Sequence, residues 1–343
     1  MRSMNGKEMV IAALDGKPCD RVPVCPYLAG EYLYARAGDL KIAGADPEIV
    51  RAAAHVAVYS RHDVDWVQIF GVRGAPRGLP KVVAAGSVGR DAACAETLVP
   101  VRSSEDLLAG GELDALAYVA DKLGSSRFVA YGMPGPFGSM FPLLGFETML
   151  VMLRENPEAV RHLLDRIVER GKNICKAARC VGADGIWLEE IFASADTISP
   201  ADYQEFAFPC EKSLIEAAAA EGLKVMLYFC GDVVPRLGRL RSLQIAALAV
   251  EESKKKFVVD IGAVRESVGP GVCLFGNADV MLLLKDDPAD LEREIARQIS
   301  AAGPARFIVG VGSPVPPQTA PEAIDGFVET ARRLGNMERV SRC

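Results

Sequence analysis

The chain has 343 residues, half of them hydrophobic and 24% charged, enough apolar material for a sizeable core and not the composition of a disordered protein. Its formal net charge of -6 argues against nucleic acid as a main partner, because phosphate binding needs a basic footprint. No apolar run approaches the ~20 residues of a membrane span, and the first residues lead into an amphipathic helix rather than a signal peptide, so a cytoplasmic protein is expected.

Residues 9–14 predict a short helical turn, and 21–28 a first strand with its prolines toward the ends. A helix over 47–62 precedes a second strand at 65–70. The polar segment 73–104, strand-like over 81–85, predicts an inserted hairpin, and a loop of that length is more often functional than idle. After a helix near 105–123 the rhythm is regular. Strand 127–132 runs into Met133-Pro134-Gly135-Pro136-Phe137-Gly138, and a long helix covers about 156–181. Strand 184–188 ends at Glu189-Glu190, and a helix follows Ser199-Pro200, an N-cap with proline in the first position. The apolar run 225–229 feeds into Cys230-Gly231-Asp232. Strand 245–250 ends at Glu251-Glu252, and 272–275 at Gly276-Asn277-Ala278-Asp279. A helix over 288–301, a last strand over 307–311 ending at Gly312-Ser313-Pro314 and a helix over 321–334 complete the chain.

Eight strands alternating with helices predict an α/β fold, a (β/α)8 TIM barrel. It is read as one domain over residues 1–343, with the hairpin inserted after the second strand. An open doubly wound sheet is the runner-up, weakened because no G-x-G-x-x-G follows any strand. The nine cysteines are odd in number and contain no C-x-x-C pair, so no disulfide framework is expected; most read as small buried hydrophobes.

Five strands in series finish in polar groups: Glu189-Glu190, Tyr228/Cys230/Asp232, Glu251-Glu252, Asn277/Asp279 and Ser313. Singly, an acid after a strand is often only a helix cap, and Glu251-Glu252 reads equally as the solvated start of a basic run. Together at the C-terminal rim of a barrel they mark an active-site mouth. Tyr228 and Cys230 share a face of their strand and Phe229 takes the other. A thiol among carboxylates fits a zinc site; acids with Tyr228 fit proton donation to a leaving group. His55, His62 and His162 fall in predicted helices, which leaves no histidine relay, and no nucleophile elbow or P-loop is present.

The motifs Asp20-Arg21-Val22-Pro23-Val24, Gly135-Pro136-Phe137, Ile198-Ser199-Pro200, Cys230-Gly231-Asp232, Gly276-Asn277-Ala278-Asp279 and Pro316-Pro317-Gln318-Thr319 stand in an order and spacing that resembles the uroporphyrinogen decarboxylase superfamily. That superfamily holds true decarboxylases and methyltransferases that work with corrinoid proteins, and the resemblance implies a (β/α)8 barrel. The decarboxylases carry R-Q-A-G-R-Y after the first strand, whose arginines hold porphyrinogen carboxylates. Here the segment is Tyr27-Leu28-Ala29-Gly30-Glu31-Tyr32, and the decarboxylase aspartate after the second strand falls near Gly71-Val72. Uroporphyrinogen decarboxylation is therefore not expected, although a decarboxylase-like tetrapyrrole-binding barrel stays as an alternative. Zinc methyltransferases that act on a thiol carry H-x-C-G and G-C-G-x-P-P. The matching positions are Tyr228-Phe229-Cys230-Gly231 and Gly312-Ser313-Pro314, one ligand of three.

Tyr-x-Cys-Gly-Asp followed by Glu251-Glu252-Ser253-Lys254-Lys255 looks like the branch that passes a substrate's methyl group to a corrinoid protein, with enzymes of aryl methyl ethers the leading comparison. The resemblance implies a partner protein carrying cobalamin and a small-molecule methyl donor, with no nucleic acid or membrane partner. The residues expected to act are Tyr228, Cys230, Glu189 and Glu251. Tyr27, Phe70, Phe137, Met140, Asn277 and Ser313 are expected to hold the substrate. Zinc on Cys230 with Glu190 or Glu251 is the Lewis-acid version, and a zinc-dependent transfer from methyl-corrinoid to a thiol or folate is the second enzymatic reading.

Overall fold

The computed structural model describes residues 3–28, 30–39, 47–71, 92–254, 256–285 and 287–336. Seven strands follow one another in chain order: β1 Trp66–Phe70, β2 Phe128–Pro134, β3 Gly185–Glu190, β4 Lys224–Phe229, β5 Ala247–Val250, β6 Cys273–Phe275 and β7 Phe307–Ile308. Every neighbouring pair is parallel, and the order in the sheet is the order in the sequence. Each return therefore needs a crossover, and helices supply it, among them Pro157–Cys180, Phe208–Ala220, Pro288–Ala302 and Pro321–Leu334.

The sheet curls until its two edges meet. Val309 N donates to Pro23 O and Cys25 N to Val309 O on the β7 side, while Asp65 N donates to Val24 O just ahead of β1. The segment expected as a continuous first strand over 21–28 thus closes the ring, but with isolated bridges at Arg21 and Val24 only. The reason lies in Pro23 and Pro26, which have no N–H to give to a ladder. Asp65 pins the closure from below: its carboxylate accepts from Val24 N at 2.7 Å and takes both Arg21 Nη atoms at 2.7 Å.

Two other expectations change. The strand-like stretch 81–85 lies outside the described residues, and the end of the same segment is a helix, Ala92–Leu98, not part of a hairpin. The single helix expected near 105–123 is two, Ser104–Ala109 and Asp114–Leu123, separated by Gly110 and Gly111. The seven cysteines whose side chains are described are free, and of these only Cys25, Cys175 and Cys273 are buried.

Strand alternation divides the core in two. Side chains such as Val67, Ile69 and Phe229 pack outward beneath the helices. Trp66, Trp187, Tyr228 and Phe275 point inward and touch one another: Trp66 to Trp187 at 5.2 Å, Trp187 to Phe275 at 5.3 Å, and Trp187 stacked on Tyr228 at 5.3 Å between centroids. This aromatic column is the floor on which the mouth is built.

Candidate active site at the barrel mouth

Above the column, Tyr27 leans in from the closing segment. Its ring lies edge-on to Trp187 at 5.4 Å and to Tyr228 at 5.5 Å, and stacks against Phe70 at 6.3 Å. Phe70 has room to lie over β2 because its partner there is Gly132, where a Cβ would overlap the Phe70 ring. Into this box projects one acid, Glu189, the residue two beyond Trp187 on the same face of β3. Its Oε1 accepts from Trp187 Nε1 at 2.9 Å and from the Tyr27 hydroxyl. Burial raises the Glu189 carboxyl above its ordinary range, with the two donors pulling the other way. Burial, with the nearby Glu189 charge, also pushes up the Tyr27 hydroxyl. The box is an apolar cradle holding a single carboxyl that favours its proton.

The other side of the mouth is polar. β4 ends at Phe229, and Cys230 follows on the Tyr228 face, half-buried, its thiol pushed well up by burial and then by the charges of Glu251 and Glu189. Gly231 turns the chain at φ +78°, a conformation that suits glycine, and its N–H donates to Glu251 Oε2 at 2.8 Å. Burial raises the Glu251 carboxyl as well. Ser313 Oγ donates to the Glu252 carboxylate at 2.8 Å, and Lys254 Nζ reaches Glu252 Oε1 at 2.5 Å and Ser313 Oγ at 3.0 Å. Tyr228 OH donates to Gly312 O at 2.8 Å.

The structure therefore brings together Tyr27, Phe70, Glu189, Tyr228, Cys230, Glu251 and Ser313. Four others stand elsewhere. Asn277 is a brace whose Nδ2 donates to Glu251 O at 3.0 Å and Val259 O at 3.1 Å. Phe137 and Met140, in the turn that follows β2, are fully buried. Glu190, one residue past Glu189, points to the opposite face of β3, where its carboxylate accepts from Phe137 N at 3.2 Å and Gly138 N at 2.8 Å. There it pairs with another fully buried acid, Glu211, whose Oε2 accepts from Tyr203 OH at 2.7 Å. Burial raises both, Glu211 to about 7 and Glu190 well above its ordinary range.

That placement decides the fit of a zinc ion. Cys230 and Glu251 face each other at the mouth, but Glu190 is turned away. Tyr228 and Ser313, which stand where the thiol-methylating enzymes have their other two ligands, are committed to Gly312 O and to Glu252. Two donors do not make the three-ligand set of a catalytic zinc site, and among the described residues no group of three His, Cys, Asp or Glu is arranged to hold a metal.

Two residues that face the barrel interior were not singled out in reading the sequence. Trp187 is legible in retrospect from its place two before Glu189. Gln68, on the same face of β1 as Trp66 and Phe70, is 1% exposed, and neither its Nε2 nor its Oε1 has a protein partner.

Comparison with known proteins gives the family. The family model described as uroporphyrinogen decarboxylase (URO-D) matches residues 88–334, well over half of the chain. The chain belongs to the uroporphyrinogen decarboxylase family. Within it, a uroporphyrinogen decarboxylase of Pseudomonas aeruginosa (strain LESB58) is 27% identical over 195 residues, 55% of this chain and 52% of that protein. The chain thus spans about half the length of the decarboxylases it matches. A methylcobamide:CoM methyltransferase, MtaA, of Methanosarcina barkeri is 24% identical over 337 residues and is matched almost end to end, over 94% of this chain and 96% of that one. In three dimensions the chain resembles a methyltransferase from Methanosarcina mazei, with a TM-score of 0.74 and 21% identity over 96% of this chain and 99% of that one. The likeness confirms an α/β parallel fold close to that of a TIM-barrel methyltransferase.

Proposed function

We propose that this member of the family is a corrinoid-dependent methyltransferase that removes the methyl group of an aryl methyl ether. The observation that carries the reading is the box of Tyr27, Phe70, Trp187 and Tyr228 around Glu189: flat apolar walls for an aromatic ring and one buried carboxyl held toward its protonated form. The end-to-end likeness to a methylcobamide:CoM methyltransferase supports the methyl transfer and the corrinoid. The aryl ether rests on the box alone.

The reduced corrinoid of a partner protein supplies the nucleophile for the methyl carbon. The chain's own task is the other end of the C–O bond, since a bare phenolate is a poor leaving group. Both donors to Glu189 bind Oε1, so Oε2 is the oxygen that carries the proton toward the ether. Tyr27 and Trp187 fix the carboxyl's orientation, and the aromatic walls exclude water, which keeps the proton on Glu189 until the leaving oxygen takes it. Tyr228, anchored on Gly312 O, sets one wall. Cys230 and Glu251 stand across the mouth, where the arriving corrinoid would meet them. The exposed large hydrophobics of the described residues fit a docking partner there. Tyr34, Phe146, Val151, Ile191, Val234, Val258 and Met281 all lie in segments that leave a strand or the closing segment at its C-terminal end.

The test is direct. Purified protein, Co(I) corrinoid carried by a partner corrinoid protein, and 2-methoxyphenol should give methyl-corrinoid, seen by absorbance, together with one equivalent of catechol. Failure of a broad panel of aryl ethers to do so would reject the reading. Transfer from a methyl-corrinoid to a thiol is the second reading, favoured by the same relative's printed activity and disfavoured by the incomplete zinc donor set. The decarboxylase-like alternative meets a box whose only charged group among the described residues is an acid, a poor host for a polycarboxylate.

A further inference from the structure

We infer that Gln68 is the specificity-determining residue of this site, its side-chain amide reading a neutral hydrogen-bonding substituent on the ring of the methyl donor. The inference deepens the aryl ether reading and rests on it for the identity of the ring.

Trp66, Gln68 and Phe70 share the inward face of β1. The outer two are seated against interior aromatics, Trp66 on Trp187 and Phe275, Phe70 on Tyr27. Gln68 lies between them, under the ring that forms one wall of the box. Its register partner across the sheet is the small Ala130, itself paired with Gly185 on β3. Among the described groups of the box, Glu189 Oε1 is committed to Tyr27 and Trp187, and Tyr228 OH to Gly312 O. Gln68 carries an unmatched donor and an unmatched acceptor together, in an interior where buried polar groups are almost always paired.

A methionine or leucine would fill the same volume without that cost. The amide earns its place if a bound molecule completes its hydrogen bonds, and what completes an amide is a group that both donates and accepts, such as a ring hydroxyl. The group is neutral in this reading, because among the described residues the box offers no cation to a carboxylate and only a protonated acid to an ammonium. A site built to hydrogen-bond a substituent discriminates strongly against the analogue that lacks it, since the buried group is then left unpaired.

Isothermal calorimetry with 2-methoxyphenol and methoxybenzene separates the possibilities without requiring methyl transfer. Wild-type protein should bind 2-methoxyphenol about tenfold or more tightly than methoxybenzene. Gln68→Met should fold with an unchanged or higher Tm and bind the two ethers within roughly twofold of each other. Equal binding of the two by wild type overturns the inference whatever the variant does, and so does a preference that survives in Gln68→Met. A preference lost in the variant, with no methyl transfer from either ether, upholds Gln68 and rejects the demethylase reading. Methyl transfer from both ethers with equal kcat/KM in wild type does the reverse.

Discussion

Glu189 and Glu190 are adjacent acids with opposite fates, and chemistry at the mouth depends on which one faces in. Strand period alone says that they part; the phase is set by Trp187, whose ring joins the inner column and carries Glu189 with it. If Glu189 is the proton donor, Glu189→Gln should lower kcat for demethylation about 10²-fold or more with little change in KM. Its active form is protonated, so the wild-type rate should fall as pH rises through the raised carboxyl pKa, a limb that Glu189→Gln should lack. Cys230 leads to a different expectation. Its thiol is pushed well up and so stays neutral near pH 7. Cys230→Ser should therefore keep most of the demethylase activity, and emission spectroscopy should find no stoichiometric zinc in wild type for the variant to lose. Zinc in wild type that is lost with the activity in Cys230→Ser would favour the thiol-transfer reading. The candidate acids, the tyrosines and Cys230 were legible as strand-end residues. Gln68 was not, because a lone polar residue in an apolar strand gives no sign of whether a partner awaits it.

Among the elements, β1 and β2 meet through a glycine. Gly132→Ala would drive its methyl group into the Phe70 ring, and overpacking of this kind costs about 1–3 kcal/mol. Chemical denaturation should show that loss, and calorimetry a weakened affinity for aromatic ethers, since Phe70 is a wall of the box. The strands were mostly visible as short apolar runs between helical patterns, and their C-terminal residues were visible with them. The closing segment was legible as extended chain but not as a bridge, because what Pro23 and Pro26 withhold is a donor, and only the neighbours at Val309 and Asp65 show where the remaining bonds go. The helices Gly30–Asp39, Phe146–Glu155 and Ile261–Val268 went unread: each is short, and packing against the barrel rather than local pattern holds it in place.

For the molecule as a whole, two buried groups of acids govern stability in opposite ways. Asp65 holds the closure, and Asp65→Ala would leave the Arg21 guanidinium and Val24 N–H without their shared partner. A loss of about 3–5 kcal/mol is expected, read as an early urea transition. Glu190 and Glu211 are held protonated by burial more strongly than in the unfolded chain, where the ordinary value is 4.5. Their contribution is complete below that value and is lost as pH climbs through about 7 for Glu211. Tm should therefore decline between pH 5 and 8, and Glu211→Gln should flatten the decline. The aromatic column carries one more consequence. The chain has 2 tryptophans, and they are Trp66 and Trp187, in contact at 5.2 Å. Trp66 Nε1 also donates to Pro26 O at 3.0 Å, in the segment that closes the ring. Two indoles at that separation share their excited states, so near-ultraviolet circular dichroism of the unmodified protein should show a paired positive and negative band. That optical signature would exist only while the ring is shut and the floor of the mouth is assembled, with no other indole in the chain to obscure it.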